Sequence, residues 1–418
     1  MLKSDKNKEI LLYIFLLIQP IIDITTSLMV RLTDFPITIG IVIRGFVLLL
    51  LVIYVLFLSK SKYRKNSLIY YSIILIFVIF YLLTKEDIFT LSILKGEIIF
   101  LFKYFYFPVI LVGFLNIYDE YKLERNKIIS ILTLNLILMA ILIILPYILG
   151  TGFSSYVGDR RGNVGWFFSA NEVSAIICIL FPFLWLKLNE KMNFVNFLIV
   201  ILIVLISFII GTKTAYLSVS LPMICIVIYH SIKMEYKKMI VPIFFVVLII
   251  SLLPISPLSY NLNQSTKEAT NLGRTGGRSA LYSLFSGRDD LLDQTAKIYI
   301  DSNDVNKYFG IGVTNRSDIN NVKIEKMIES DIFDILFRLG IIGTFIYFAP
   351  LIAIFLVCFE YVIIKKLNLN LEQWLIFYTV VIGLLACLIT GHVLGAPAVS
   401  IYLAIATVLA FTMKEEQI

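Results

Sequence analysis

Apolar runs long enough to cross a bilayer recur along nearly the whole chain, and this feature restricts the fold more than any other. A spanning helix needs ~20 mostly apolar residues. Twelve such runs can be drawn, at residues 10–30, 37–59, 67–84, 97–117, 127–149, 166–188, 193–211, 214–230, 238–253, 332–359, 372–390 and 394–413. Hydrocarbon offers backbone groups no water to bond with, so runs of this length are helices that satisfy their own N–H and C=O groups. Composition excludes a soluble chain: 59% of residues are hydrophobic and only 16% are charged, against about 25% charged in soluble domains. The expected fold is an all-α integral membrane protein with about twelve transmembrane helices. Lys3, Lys6 and Lys8 precede the first run, which is interrupted by Pro20 and Asp23 and shows no small-residue cleavage pattern. It is read as a retained helix, not a signal peptide. The second and fourth runs carry internal cations, Arg44 and Lys103, and Gly340, Gly343 and Pro350 predict a kink in the tenth.

Charge sets the orientation. With the N-terminus in the cytoplasm, the inward short loops collect eighteen Lys and Arg and the outward ones six, as the positive-inside rule requires. Twelve spans return the C-terminus to the same side. The one long polar segment, from Pro254 to Ser330, then faces outward. The expected organisation is spans 1–9 over 1–253, a large outward loop with short helices over 254–331, and spans 10–12 over 332–418. The net charge of +7 reads as topology and contact with membrane lipids. No basic block with interleaved aromatics points to nucleic acid. Cys178, Cys225, Cys358 and Cys387 each lie within an apolar run without CxxC spacing, which supports neither a disulfide framework nor a zinc site.

Polar constellations gather on the outward side. Arg160-Arg161-Gly162-Asn163-Val164-Gly165-Trp166 stands at the mouth of the sixth run. Two arginines beside glycines suit bidentate contact with phosphate, and interfacial anchoring to headgroups is the plainer alternative. Asn171 and Glu172 lie one turn inside the membrane, where polar groups are costly and more often functional. Gly211-Thr212-Lys213-Thr214 is a very short outward turn whose lysine can donate to a phosphate. In the long loop, Gly273 to Arg278 is a flexible basic turn and Ser286-Gly287-Arg288-Asp289-Asp290 reads as a helix start capped by Ser286, running to about Ile300. Phe309-Gly310-Ile311-Gly312 reads as a tight turn. Asp289-Asp290-Leu291-Leu292-Asp293 matches a magnesium-binding DDxxD pattern but lacks the second acidic motif such sites need, so a capped amphipathic helix explains it better. At the loop's exit, Asp334 and Arg338 have i,i+4 spacing and read as a helix ion pair. Glu329 and Asp331 show no such local partner and are candidate general bases, because partial burial of a carboxylate raises its pKa. His392, at the outward end of the eleventh run, can approach the site, but a lone interfacial histidine is the plainer reading.

In their order and topology these stretches resemble the O-antigen polymerase/O-antigen ligase superfamily of membrane glycosyltransferases. Arg160/Arg161 through Gly165, Phe167 and Asn171 are similar to its R…G-x-F…N pattern. Ser286-Gly287-Arg288-Asp289 with Phe309-Gly310-Ile311-Gly312 is similar to S-G-R…G-x-G, and Leu336 to Gly343 to the closing L-x-x-x-G-x-x-G. The resemblance covers most of the chain and implies a GT-C-like architecture. It implies an undecaprenyl-pyrophosphate-linked glycan as donor, on the outer face of the cytoplasmic membrane, with transfer to a hydroxyl and neither metal nor other cofactor. By that resemblance Arg160, Arg161 and Arg288 match pyrophosphate-binding positions. Lys213 stands where ligases tend to carry arginine, keeping the charge but losing the bidentate geometry. Asn171 and Arg278 complete the expected substrate-binding set. Ligases place a histidine followed by asparagine where this chain has Glu329 and Ser330, so the expected activity is polymerisation of lipid-linked repeat units, with Glu329 as base and Asp331 as its understudy. Flippase and chain-length-regulator proteins are the partners such a role implies. The rivals are ligase-type transfer to another acceptor, a cell-wall polymerase of the shape, elongation and division type, disfavoured because those have about ten spans, and a lipid-linked oligosaccharide flippase. Transporters usually show paired halves and short loops, whereas this chain has no internal repeat and one loop of roughly 75 residues.

Overall fold

The computed structural model describes residues 2–33, 38–85, 88–156, 158–190, 192–271, 273, 288–313, 328–359 and 369–413. Among them regular structure is helical, apart from one isolated antiparallel bridge between Ser154 and Asn163. In chain order the helices are α1 (Leu2–Leu17), α2 (Gln19–Leu32), α3 (Ile39–Ile53), which runs on as a π turn over Tyr54–Leu58, α4 (Arg64–Leu83), α5 (Leu91–Tyr121), α6 (Arg125–Ile148), α7 (Ala170–Asn189), α8 (Phe194–Ile210), α9 (Lys213–Ile232) and α10 (Tyr236–Leu252). The polar loop contributes α11 (Pro257–Asn271), α12 (Arg288–Asp301) and α13 (Asp304–Phe309), and the chain ends with α14 (Asp331–Phe359), α15 (Leu371–Ile389) and α16 (Pro397–Thr412).

This is a multi-pass membrane protein. Nine helices among the described residues are long and apolar enough to cross a bilayer, and α1 and α2 together make a tenth candidate bent by 47°. The bend coincides with Pro20 at the start of α2, where proline lacks an N–H and breaks the ladder. Two further apolar helices, α8 and α16, are shorter than a full crossing. Each of the twelve expected runs therefore overlaps a helix, but the lengths are less even than a uniform ruler assigns.

Burial sorts these helices into centre and rim. In α5 and α7, 78% of the apolar window is buried inside the protein, against 17% in α3 and α10. Nearly every residue of α16 is buried. Its small side chains, Ala398, Ser400, Ala404 and Ala406, let α5 and α7 approach closely, which is how helices pack where lipid supplies no hydrophobic drive. Rim helices present exposed Phe46, Leu50, Phe80, Ile240 and Val247, as suits a lipid-facing surface.

Candidate active site

The short loops before α7 and α9 form one scaffold. The segment around Arg160 and Arg161 folds back on Phe153: Phe153 N–H donates to Gly165 O at 2.7 Å and Val164 N–H to Phe153 O at 2.9 Å. This arm docks on the C-terminal carbonyls of α8, with Asn163 N–H on Ile209 O at 2.8 Å and Ser155 Oγ on Ile210 O at 2.7 Å. Gly162 fits there because a Cβ would collide with the Ile210 carbonyl. Gly211 then ends α8 at φ 72° and Thr212 caps α9 by accepting from Ala215 N–H at 3.1 Å, which sets Lys213 at the first turn of α9. Asn261 on α11 ties the two loops together. Its Oδ1 accepts from Arg161 N–H at 2.7 Å, and its Nδ2 donates to Arg161 O at 2.7 Å and Gly211 O at 3.1 Å. Arg160 pairs with Glu268 of α11 at 2.6 Å, and the Arg161 guanidinium lies 4.1 Å above the Tyr260 ring. Burial pushes the Tyr156 phenol above its ordinary value while the charges of Arg160 and Arg288 pull it down. Those two arginines are also charged neighbours of Lys213, so Arg160, Lys213 and Arg288, distant in sequence, make one field.

The exit of the loop is fixed by three buried charges. Arg288 donates through Nε and Nη2 to Glu329 Oε2 at 3.2 and 3.0 Å. Glu329 has φ 63°, a left-handed conformation costly for a residue with a Cβ. Asp334 holds it there, its carboxylate accepting from the N–H groups of Ile328 and Glu329, each at 3.2 Å. Asp334 also pairs with Arg338 at 3.3 Å, the i,i+4 pair expected from the spacing. Arg338 reaches further and donates to Gly312 O at 3.1 Å. Asp331 accepts from the N–H groups of His392, Val393 and Leu394 at 3.0, 2.8 and 2.7 Å. The local pattern around Glu329 and Asp331 thus misses their real partners. One pairs with a cation 41 residues away and the other with the backbone of the turn before α16.

These elements enclose a cavity of about 300 Å3 whose wall includes Lys103, Tyr104, Glu329, Asp331, Asp334 and His392. Of the expected substrate-binding residues, Arg288 meets this wall through Glu329, and Arg160 and Arg288 are charged neighbours of Lys213. Asn171 lies in the first turn of α7 but is not part of the cavity's wall. Residues 274–287, with Arg278 and Ser286, lie outside the described residues, whereas the helix beginning at Arg288 and the turn after Phe309 are both present. Lys103 and His392 were not among the expected site residues. Lys103 was visible as a cation inside an apolar run, which is a functional signal in a membrane helix. His392 was legible only by its rarity and its place at the end of the eleventh run, from which it could approach the site. No group of three or more His, Cys, Asp or Glu with metal-binding geometry occurs among the described residues. The Asp289–Asp293 stretch lies in the first turns of α12, and its expected cap, Ser286, lies outside the described residues.

A polyanion at this position would meet cations on one side and a carboxylate on the other, the arrangement needed to stabilise a leaving phosphate while a hydroxyl is deprotonated. The sequence profile of the family described as "O-antigen ligase like membrane protein" matches residues 4–270 and 263–416. The chain belongs to that family. Membership covers most of the sequence, including both halves of the site, and points to a glycosyltransferase-type enzyme. Neither the curated proteins nor the solved structures contain a match.

Proposed function

We propose that the protein polymerises undecaprenyl-pyrophosphate-linked oligosaccharide repeat units into a surface polysaccharide, with its site on the outer face of the cytoplasmic membrane. The observation that carries this reading is the pairing of Arg288 with Glu329, which lines the cavity, in a chain whose glutamate replaces the histidine of the ligases it resembles. Arg160, Arg161, Lys213 and Arg288 hold the donor's pyrophosphate. Glu329 accepts the proton of the acceptor hydroxyl, the hydroxyl oxygen bonds to the anomeric carbon, and the bond from that carbon to the pyrophosphate oxygen breaks. Polyprenyl pyrophosphate leaves with its charge balanced by the same cations. A donor phosphate competes for Arg288 and draws it from Glu329, so donor binding uncovers the base. Asp331, with both carboxylate oxygens occupied by amides, acts as a positioning residue. Flippase and chain-length-regulator proteins are the partners this role would bring.

Ligase-type transfer is the second reading, supported by His392, whose position in the same cavity wall offers an imidazole base from another element. One experiment separates the two. A deletion strain should accumulate single repeat units on the lipid carrier, and a Glu329→Gln gene should fail to restore long chains while a His392→Gln gene restores them. Unaltered chain length in the deletion strain refutes polymerisation. Long chains from Glu329→Gln together with their loss in His392→Gln assign the base to the histidine.

A further inference from the structure

Beside the Glu329 cavity lies a second one of about 340 Å3, within the ~300–1,000 Å3 range of small-ligand sites. The two share Lys103, His392 and Gly395 and are therefore adjacent. Its polar wall comprises Asp23 and Thr26 from α2, Arg44 from α3, Lys103 from α5, Glu172 from α7, and His392. Ionisable groups are expensive at this depth and are kept where they serve a pathway or a ligand. Five of them from different elements converge here.

What these groups lack identifies what would fill the space. Arg44 is already served: its Nη2 meets Asp23 Oδ1 at 2.5 Å, and its Nε and Nη2 meet Gln19 Oε1 at 3.1 and 3.0 Å. The other Asp23 oxygen and the Thr26 hydroxyl are buried without a hydrogen-bond partner among the described residues. A buried acceptor left in that state costs its full desolvation. Asp23 Oδ2 needs a donor, which a phosphate oxygen cannot supply and a sugar hydroxyl can, and the Glu172 carboxylate in the same wall can accept from a second hydroxyl. Phe102, Phe167 and Phe168 line the same space and offer apolar faces to the C–H surface of a pyranose ring.

We infer that this cavity is a sugar-binding subsite, which seats the terminal residue of the acceptor glycan and directs its hydroxyl past His392 to Glu329. The assignment of the occupant as acceptor rests on the proposed transfer reaction, whereas sugar binding itself does not. The probe is the free oligosaccharide of one repeat unit, released from the lipid carrier by mild acid, and its binding to the purified full-length protein is read by saturation-transfer NMR. Thr26→Val and Glu172→Gln, which avoid breaking the Asp23–Arg44 pair, should each weaken binding about tenfold, while Glu329→Gln binds as the wild type does. Equal binding by Thr26→Val, Glu172→Gln and wild type, or no binding by wild type, overturns the subsite. Normal transfer by Glu329→Gln refutes the proposed reaction instead, and leaves the binding result standing.

Discussion

Asp334 has two tasks with one carboxylate: it neutralises Arg338 and holds the amides of Ile328 and Glu329. Both members of the ion pair are almost wholly buried, at 1% and 4% exposure, so removing one leaves an uncompensated charge. Breaking a buried pair this way costs about 3–5 kcal/mol. Asp334→Asn should therefore lower the thermal midpoint of the purified protein and release Glu329 from its strained backbone, with kcat falling more than KM rises. Adding Arg338→Met should recover part of the stability, and the sum of the single losses exceeding the double loss measures the coupling. Lys85 is the second residue whose environment is testable. It is buried beneath the loop, donates to the Gly310 carbonyl and lies 4.2 Å from the Tyr81 ring centroid. Burial pushes its ammonium down to about 8, partly opposed by the Glu97 carboxylate. An unfolded lysine titrates near ~10.4, so between those values the unfolded chain binds more protons than the folded one. The charged lysine's penalty is complete below about pH 8 and fades as pH rises, so stability from this group increases across that interval. A Lys85→Met protein should lack this alkaline rise in a pH series of thermal unfolding, and an unchanged profile would disprove the assignment.

At the scale of elements, a broken helix and a docked helix build the site. Inside α14, Gly340 has φ 72° and ψ −178°, a conformation that breaks the i→i−4 ladder. The carbonyls of Phe337 and Arg338 turn to the loop and accept from the N–H groups of Ile311 and Gly312 at 2.9 and 3.2 Å. A Cβ on Gly340 would meet the Tyr308 carbonyl and the Gly310 amide, so only glycine lets the turn after α13 reach the helix. Gly340, Gly343 and Pro350 in the sequence made a kink legible, but not that the freed carbonyls would anchor the loop. The docked helix is α11, whose Asn261 side chain bonds to both short loops, while Glu268 and Tyr260 add contacts to Arg160 and Arg161 of the first. The Asn261 hydrogen bonds contribute about 0.5–1.5 kcal/mol each. Asn261→Ala should speed hydrogen exchange across α11 and the Arg160–Gly162 segment together while leaving α5 and α7 protected. Faster exchange confined to α11 would mean that the two loops hold each other without it.

At the scale of the molecule, central α5, α7 and α16 are enclosed by helices with lipid-facing surfaces. The expected orientation puts the polar loop outside and both termini inside. A cysteine introduced at exposed Lys267 on α11 should react with an impermeant maleimide on intact cells, and one at exposed Lys62, between α3 and α4, only after permeabilisation. The reverse pattern would invert the topology and remove the site from the outer face.

Hydropathy is a local property, read within a window of about 20 residues, so the sequence by itself determined that the chain is an all-helical membrane protein, where most spans fall, and which polar stretches lie between them. The i,i+4 pair Asp334–Arg338 was legible for the same reason, since helix geometry sets it. Helix packing alone decided which distant charges meet. Arg288 finds Glu329 across 41 residues, Asp331 caps the turn at His392, and Lys103 and His392 come to one cavity because α5 and α16 pack together at the centre. Such meetings depend on the rotation and depth of whole helices against one another, and no window along the chain contains that information.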